Sequence, residues 1–131
     1  MKALERWHHM MEQGTNDGLW ELLHEDCVFW SPVVHTPQQG REITFAYLSA
    51  AQNVFSEGFH YVREVVQGDN AVLEFECVMD GIQINGVDMI KAQGDQIIEF
   101  KVMVRPLKAV NKVHENMMQM LEQMKAQAGQ S

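Results

Sequence analysis

Between Phe59 and Arg105 apolar residues recur with a period of two, a pattern that only β-strands satisfy. Leu73, Phe75, Cys77 and Met79 alternate with Glu74, Glu76 and Val78, so one face of the sheet is buried and the other partly wet. The turn residues are Gly68-Asp69-Asn70, Asp80-Gly81, Asn85-Gly86 and Gly94-Asp95. They predict strands over 59–66, 71–79, 82–84, 86–90 and 96–105, the last stopped by Pro106. Asp88 interrupts the apolar run of Val87, Met89 and Ile90. A carboxylate on a core-facing strand must be paired, hydrogen-bonded or neutralised.

The first 58 residues carry helical spacing instead. Leu4, Trp7 and Met11 predict a helix over 3–13 that ends at Gly14. Thr15, Asn16 and Asp17 are N-cap candidates for a short second helix carrying Leu19, Trp20, Leu22 and Leu23 and closed by Glu25-Asp26. Cys27–Val34 reads as a strand, made an edge or irregular by Pro32. After a turn over 36–40, a third helix is expected over 41–55, with Ile43, Phe45, Ala46, Leu48 and Ala51 apolar. Leu107–Met124 reads as a terminal helix with Val110, Val113, Met117, Met120 and Met124 on one face, followed by a polar tail, Ala126–Ser131. That helix can pack on its own domain or on a partner subunit. Three helices with one strand among them, then a meander, then a helix make an α+β fold, a curved antiparallel sheet with its helices segregated to one side.

A chain of 131 residues with 46% hydrophobic content suits one domain. The net charge of −8 argues against nucleic acid or an anionic membrane as partner. No apolar run approaches the roughly 20 residues of a membrane span. Met1–Arg6 turns charged at once and lacks the apolar region of a signal peptide. Cys27 and Cys77 sit in apolar runs and read as free thiols of a reducing compartment, so a cytoplasmic location is expected. No metal or nucleotide motif is present, and adjacent His8-His9 point to different faces of a helix. No cofactor and no metal are expected.

Asp17–Phe29, Gly40-Arg41-Glu42-Ile43, the Val87–Ile90 strand and the Ile97–Pro106 strand together resemble the SnoaL-like branch of the nuclear transport factor 2-like superfamily. That superfamily includes ketosteroid isomerases, limonene epoxide hydrolases, scytalone dehydratase and polyketide cyclases. The resemblance covers nearly all of residues 3–106 and implies a SnoaL-like domain over 1–106, with the C-terminal helix and tail over 107–131. It also implies a cone-shaped barrel with an apolar pocket at its open end, and usually a homodimer built on the outer sheet face. The superfold hosts several chemistries and many non-enzymes.

Residue by residue, the resemblance sets Ser31, before Pro32, at the position of the isomerases' general-base aspartate. A serine hydroxyl does not ionise near neutral pH, which argues against steroid isomerase activity. Asp88 matches the second isomerase carboxyl, which stays protonated in an apolar site and donates a hydrogen bond to an oxyanion. Trp7 falls at the position of the isomerase tyrosine. Strand alternation puts Phe29 and Ser31 on one face and Trp30 on the other; an outward Trp30 needs cover, as at a subunit interface. By the same resemblance Phe100, Val102 and Val104 line the cavity, and Phe45, Tyr61 and Phe75 are candidate walls, each with plain core packing as the alternative. His35 lies near the expected rim, either as a proton-transfer group or as an exposed loop histidine. The expected function is binding of a small hydrophobic molecule with Asp88 and His35 as the reactive groups, in an isomerase, cyclase or lyase type of activity. The alternative is a non-catalytic dimeric module with a filled cavity.

Overall fold

The computed structural model describes residues 1–129, with side chains through Lys125 and Ala126. The order of elements is α1 (Lys2–Gln13), α2 (Leu19–Leu22), β1 (Leu23–Trp30), β2 (Gln38–Gln39), α3 (Arg41–Val54), β3 (His60–Gln67), β4 (Asn70–Met79), β5 (Ile82–Gln93), β6 (Gln96–Arg105) and α4 (Leu107–Gly129). The strands form one curved, unclosed sheet in the order β2-β1-β6-β5-β4-β3. The expected α+β fold, a curved sheet against helices, is what forms, but the sheet is mixed, because β1 runs parallel to β6. Alternation reports which face a residue occupies and says nothing about which neighbour its strand chooses.

Four boundaries differ from expectation for physical reasons, the first being that the strand expected to run to Val34 ends at Trp30, because Pro32 has no N–H for a ladder. The second helix lasts one turn, and β1 begins at Leu23, so Glu25-Asp26 lie in a strand. Both acids are exposed, and the carbonyl of Leu23 is bound by the Arg41 guanidinium at 2.8 Å. Asn85-Gly86 is not a turn; it lies inside a single strand, β5. Gly86 is there because Phe75 and the β6 backbone crowd it: an added Cβ would clash with Phe75 Cζ and lie 2.7 Å from the Met103 carbonyl oxygen. The expected turn over 36–40 contains the two residues of β2, which pair with Val28 and Phe29. Asp80-Gly81, by contrast, is a turn, with positive φ of 51° and 80° at its two residues.

The core lies between the concave face of the sheet and the helices. Trp7, Leu22, Leu23, Phe29, Leu73, Phe75, Ile90, Ile97 and Phe100 are buried in it. Each contributes about 1.5–3 kcal/mol relative to an exposed side chain. α4 adds Ala109, Val113 and Met117 to the same core and packs on α3, β4, β5 and β6. Its register differs by a residue at the start, where Ala109 is buried and Val110 half-exposed. The helix runs on to Gly129, through most of the stretch expected as polar tail; residues 130 and 131 lie outside the described residues.

Gly86→Ala is expected to destabilise the fold by about 1–3 kcal/mol, the usual cost of overpacking a core. Urea unfolding followed by circular dichroism measures it, and an unchanged midpoint would show that β5 and β4 have slack at this point.

Candidate functional site: a buried carboxyl in an aromatic cavity

Between the concave face of the sheet and the helices lies a partly open cavity of about 90 Å³. Strand alternation directs Phe29 and Ser31, Phe75, Asp88, and Phe100 and Val102 into it from four consecutive stretches of the sheet side. Trp7 and Met11 enter from α1, and Tyr47, Leu48 and Ala51 from α3. α4 closes the remaining side with Val113, His114, Met117 and Leu121. The aromatic rings fix one another: Trp7 meets Phe100 edge-on at 4.9 Å, Phe29 stacks on Tyr47 at 5.2 Å, and Phe59 stacks on Phe75 at 5.0 Å.

Asp88 is the acidic side chain in this apolar lining and is only 6% exposed. It faces inward because β5 alternates Gly86, Asp88 and Ile90 onto the core side. The Tyr61 hydroxyl donates to Asp88 Oδ2 at 2.7 Å, and the Trp7 indole N–H donates to the Tyr61 oxygen at 3.0 Å. Among the described residues no group bonds Oδ1, and Asp88 lines the cavity, so that oxygen is left for an occupant. Burial raises the Asp88 carboxyl to about 7, against the smaller opposing effect of the Tyr61 hydrogen bond. Burial, then the Asp88 charge, pushes the Tyr61 phenol well up, so it stays a donor. Burial, then Asp88, likewise raises the Cys77 thiol to about 11, which keeps it inert.

The structure sorts the residues singled out from sequence. Trp7, Phe29, Ser31, Phe75, Asp88, Phe100 and Val102 come together around the cavity. Phe45 does not: it sits on a different face of α3, edge-on to Trp20 at 5.6 Å, because Tyr47, Leu48 and Ala51 take the inward positions. His35 is exposed and outside the lining, because the chain leaves the sheet after Trp30 and carries it away on the loop to β2. Tyr61 lies outside this cavity's lining and holds the Asp88 carboxyl from behind. Ser31 lines the cavity with its oxygen accepting from the Val33 amide at 3.2 Å. Tyr47, His114 and Met118 were not singled out from the sequence. The α4 heptad spacing pointed to Val113 and Met117, but spacing cannot say what the helix covers.

No group of three or more metal-ligating side chains occurs among the described residues.

The sequence profile described as a SnoaL-like domain matches residues 4–100. The chain belongs to the SnoaL-like domain family. No curated protein matches the sequence. Among solved structures, this SnoaL-like domain is similar to a Pseudomonas aeruginosa protein described as a steroid delta-isomerase. The two share 35% identity at a TM-score of 0.90, over 95% of this chain and 92% of that one. It is also similar to an uncharacterised protein with a cystatin-like fold from Silicibacter pomeroyi, at 31% identity and a TM-score of 0.80, over 88% of this chain and 82% of that one. A candidate polyketide cyclase from Sinorhizobium meliloti shares the fold, at 15% identity and a TM-score of 0.65, over 79% of this chain and 94% of that one.

The raised Asp88 carboxyl makes stability fall as pH rises. The folded state holds the proton up to about 7, whereas an unfolded carboxyl releases it near 3.8. The contribution is therefore complete below about 4 and lost as pH rises to about 7, up to a few kcal/mol in all. Asp88→Asn should flatten this dependence and exceed the wild type in melting temperature at pH 8. Tyr61→Phe removes the bond that favours the charged form and should move the Asp88 midpoint above 7, read by carboxyl carbon NMR. A wild-type midpoint near 4 would contradict both expectations.

Proposed function

We propose that this SnoaL-like domain binds a small apolar molecule carrying one polar group, with Asp88 hydrogen-bonded to that group. The observation that carries this reading is a neutralisable carboxyl, held from behind by Tyr61, with one oxygen facing an otherwise aromatic and aliphatic cavity. A protonated Asp88 donates to a carbonyl or hydroxyl oxygen and strengthens that bond as negative charge develops there. In a reaction, that is the acid half of an isomerase, cyclase or lyase step, and one similar protein is described as a steroid delta-isomerase.

Steroid isomerisation is not extended to this chain. Ser31 lines the cavity without an ionisable group, and His35 lies on the exposed loop. The cavity of about 90 Å³ is also well below the roughly 300–1,000 Å³ of ordinary ligand pockets. That small volume favours, as the second reading, a non-catalytic module whose cavity is filled by its own side chains.

We also propose a homodimer through the outer sheet face. Val65, Val72 and Met103 are 56%, 38% and 52% exposed there. Val65 and Val72 continue in register to Met89, Lys101 and Trp30. The Trp30 indole N–H is buried without a hydrogen-bond partner among the described residues, and the Lys101 ammonium lies 4.7 Å over its ring. An apolar band of this kind is unusual on a monomer. Two unpaired buried thiols, Cys27 and Cys77, support a cytoplasmic location.

Two measurements test these proposals. 1-Butanol, short enough for the cavity, should shift the methyl resonances of Val102, Val113 and Met117 saturably. Asp88→Leu should weaken that binding about ten-fold, the worth of one hydrogen bond. No saturable shift in the folded wild type would leave the filled-cavity module standing. Sedimentation at micromolar concentration should give a dimer that Met103→Glu converts to a folded monomer; a wild-type monomer would remove the sheet-face interface.

A further inference from the structure

A second space adjoins the Asp88 cavity across a thin partition. It is a groove of about 580 Å³ between the end of α1, the end of α3 and the start of β3. Met11, Gln52, Phe55 and Phe59 line both spaces, and all are only partly buried. Three members of the partition are held. Phe59 stacks on Phe75 at 5.0 Å, Phe55 meets the same ring edge-on at 5.8 Å, and the Gln52 amide donates to the Thr15 carbonyl at 3.0 Å. Met11 has no polar tie and a thioether side chain that changes rotamer at little cost. It is the part of the wall that can move.

The two spaces differ in chemistry. The inner one is aromatic and aliphatic around Asp88. The groove is lined by the carboxylates of Glu12 and Glu64, the amides of Gln52 and Asn53, and the imidazoles of His8 and His60. His8 Nε2 lies 2.6 Å from Glu64 Oε1, and His60 Nε2 lies 3.7 Å from Glu76 Oε1, so both imidazoles already face a carboxylate. Glu12 has no ion-pair or hydrogen-bond partner among the described residues. An anionic head would face repulsion from Glu12 and Glu64; a hydroxyl, amide or ammonium would find acceptors. The size also fits: alone the inner cavity holds a few heavy atoms, whereas joined to the groove it reaches the range of ligand pockets.

We infer that the groove is the second half of one binding site and that the ligand is a two-ended amphiphile. One polar end meets Asp88, an apolar body passes Met11, and a neutral or cationic end lies in the groove among Glu12, Glu64, Gln52 and Asn53. This rests on the proposed binding of an apolar molecule beside Asp88.

The test uses three probes on the full chain by calorimetry and NMR: 1-butanol for the inner cavity, 8-aminooctan-1-ol and 8-hydroxyoctanoate for the joined site. The amino alcohol is expected to bind at least ten-fold more tightly than the hydroxy acid. Glu12→Lys, on an exposed helix position, should narrow or invert that preference and leave 1-butanol binding within two-fold. Met11→Trp should weaken both eight-carbon probes at least ten-fold. If 1-butanol binds but the two eight-carbon probes bind equally and ignore Glu12→Lys and Met11→Trp, the groove is not part of the site and this inference is overturned alone. If none of the three probes binds the folded protein, the cavity reading falls with it.

Discussion

The site depends on one hydrogen bond, from the Tyr61 hydroxyl to the Asp88 carboxyl. A carboxyl with 6% of its surface exposed costs several kcal/mol if it is charged and unpaired. No lysine or arginine reaches it among the described ion pairs. The protein instead supplies neutral donors in series, Trp7 to Tyr61 to Asp88, from α1, β3 and β5. Burial raises the Asp88 carboxyl to about 7, and the Tyr61 hydrogen bond offsets only part of that rise. A salt bridge would have fixed the charge and removed the acid.

The surroundings of that bond are aromatic and aliphatic. Aromatic rings on β1, β4, β6, α1 and α3 interlock around it, and α4 closes the open side of the sheet with Val113, Met117 and Leu121. Closure by α4 reduces the space to a small cavity. Methionine on a closing helix gives a wall that repacks around an occupant more easily than leucine or valine would. The tight inner volume and the adaptable wall are thus two consequences of one element.

The two faces of the sheet do different work. The inner face is spent on the core and on Asp88. The outer face carries Val65, Val72, Met89 and Met103 on four adjacent strands, beside the Arg63–Glu74 pair. Strand pleating separates these roles cleanly, since adjacent residues on one strand point to opposite sides. Asp88 faces the cavity while its neighbours Val87 and Met89 belong to the outer surface.

The sequence by itself determined most of the strands and the buried face of β4, because alternation is a local property that survives without knowledge of neighbours, and it set Asp88 on an apolar strand whose direction it left open. It also carried enough ordered similarity to reach the family. It misread Asn85-Gly86, since a glycine required by a close approach of Phe75 looks the same as one required by a turn. It put Phe45 on the cavity, since one turn of α3 offers several apolar residues and only packing selects Tyr47 and Leu48. Tertiary structure alone decided that Tyr61, 27 residues from Asp88 in the chain, holds its carboxyl, and that α4 seals the space in front of it. Both are contacts between elements far apart in sequence, set by the pairing of β3, β4 and β5 and by the return of the chain after β6. No local pattern of residues encodes where such elements meet.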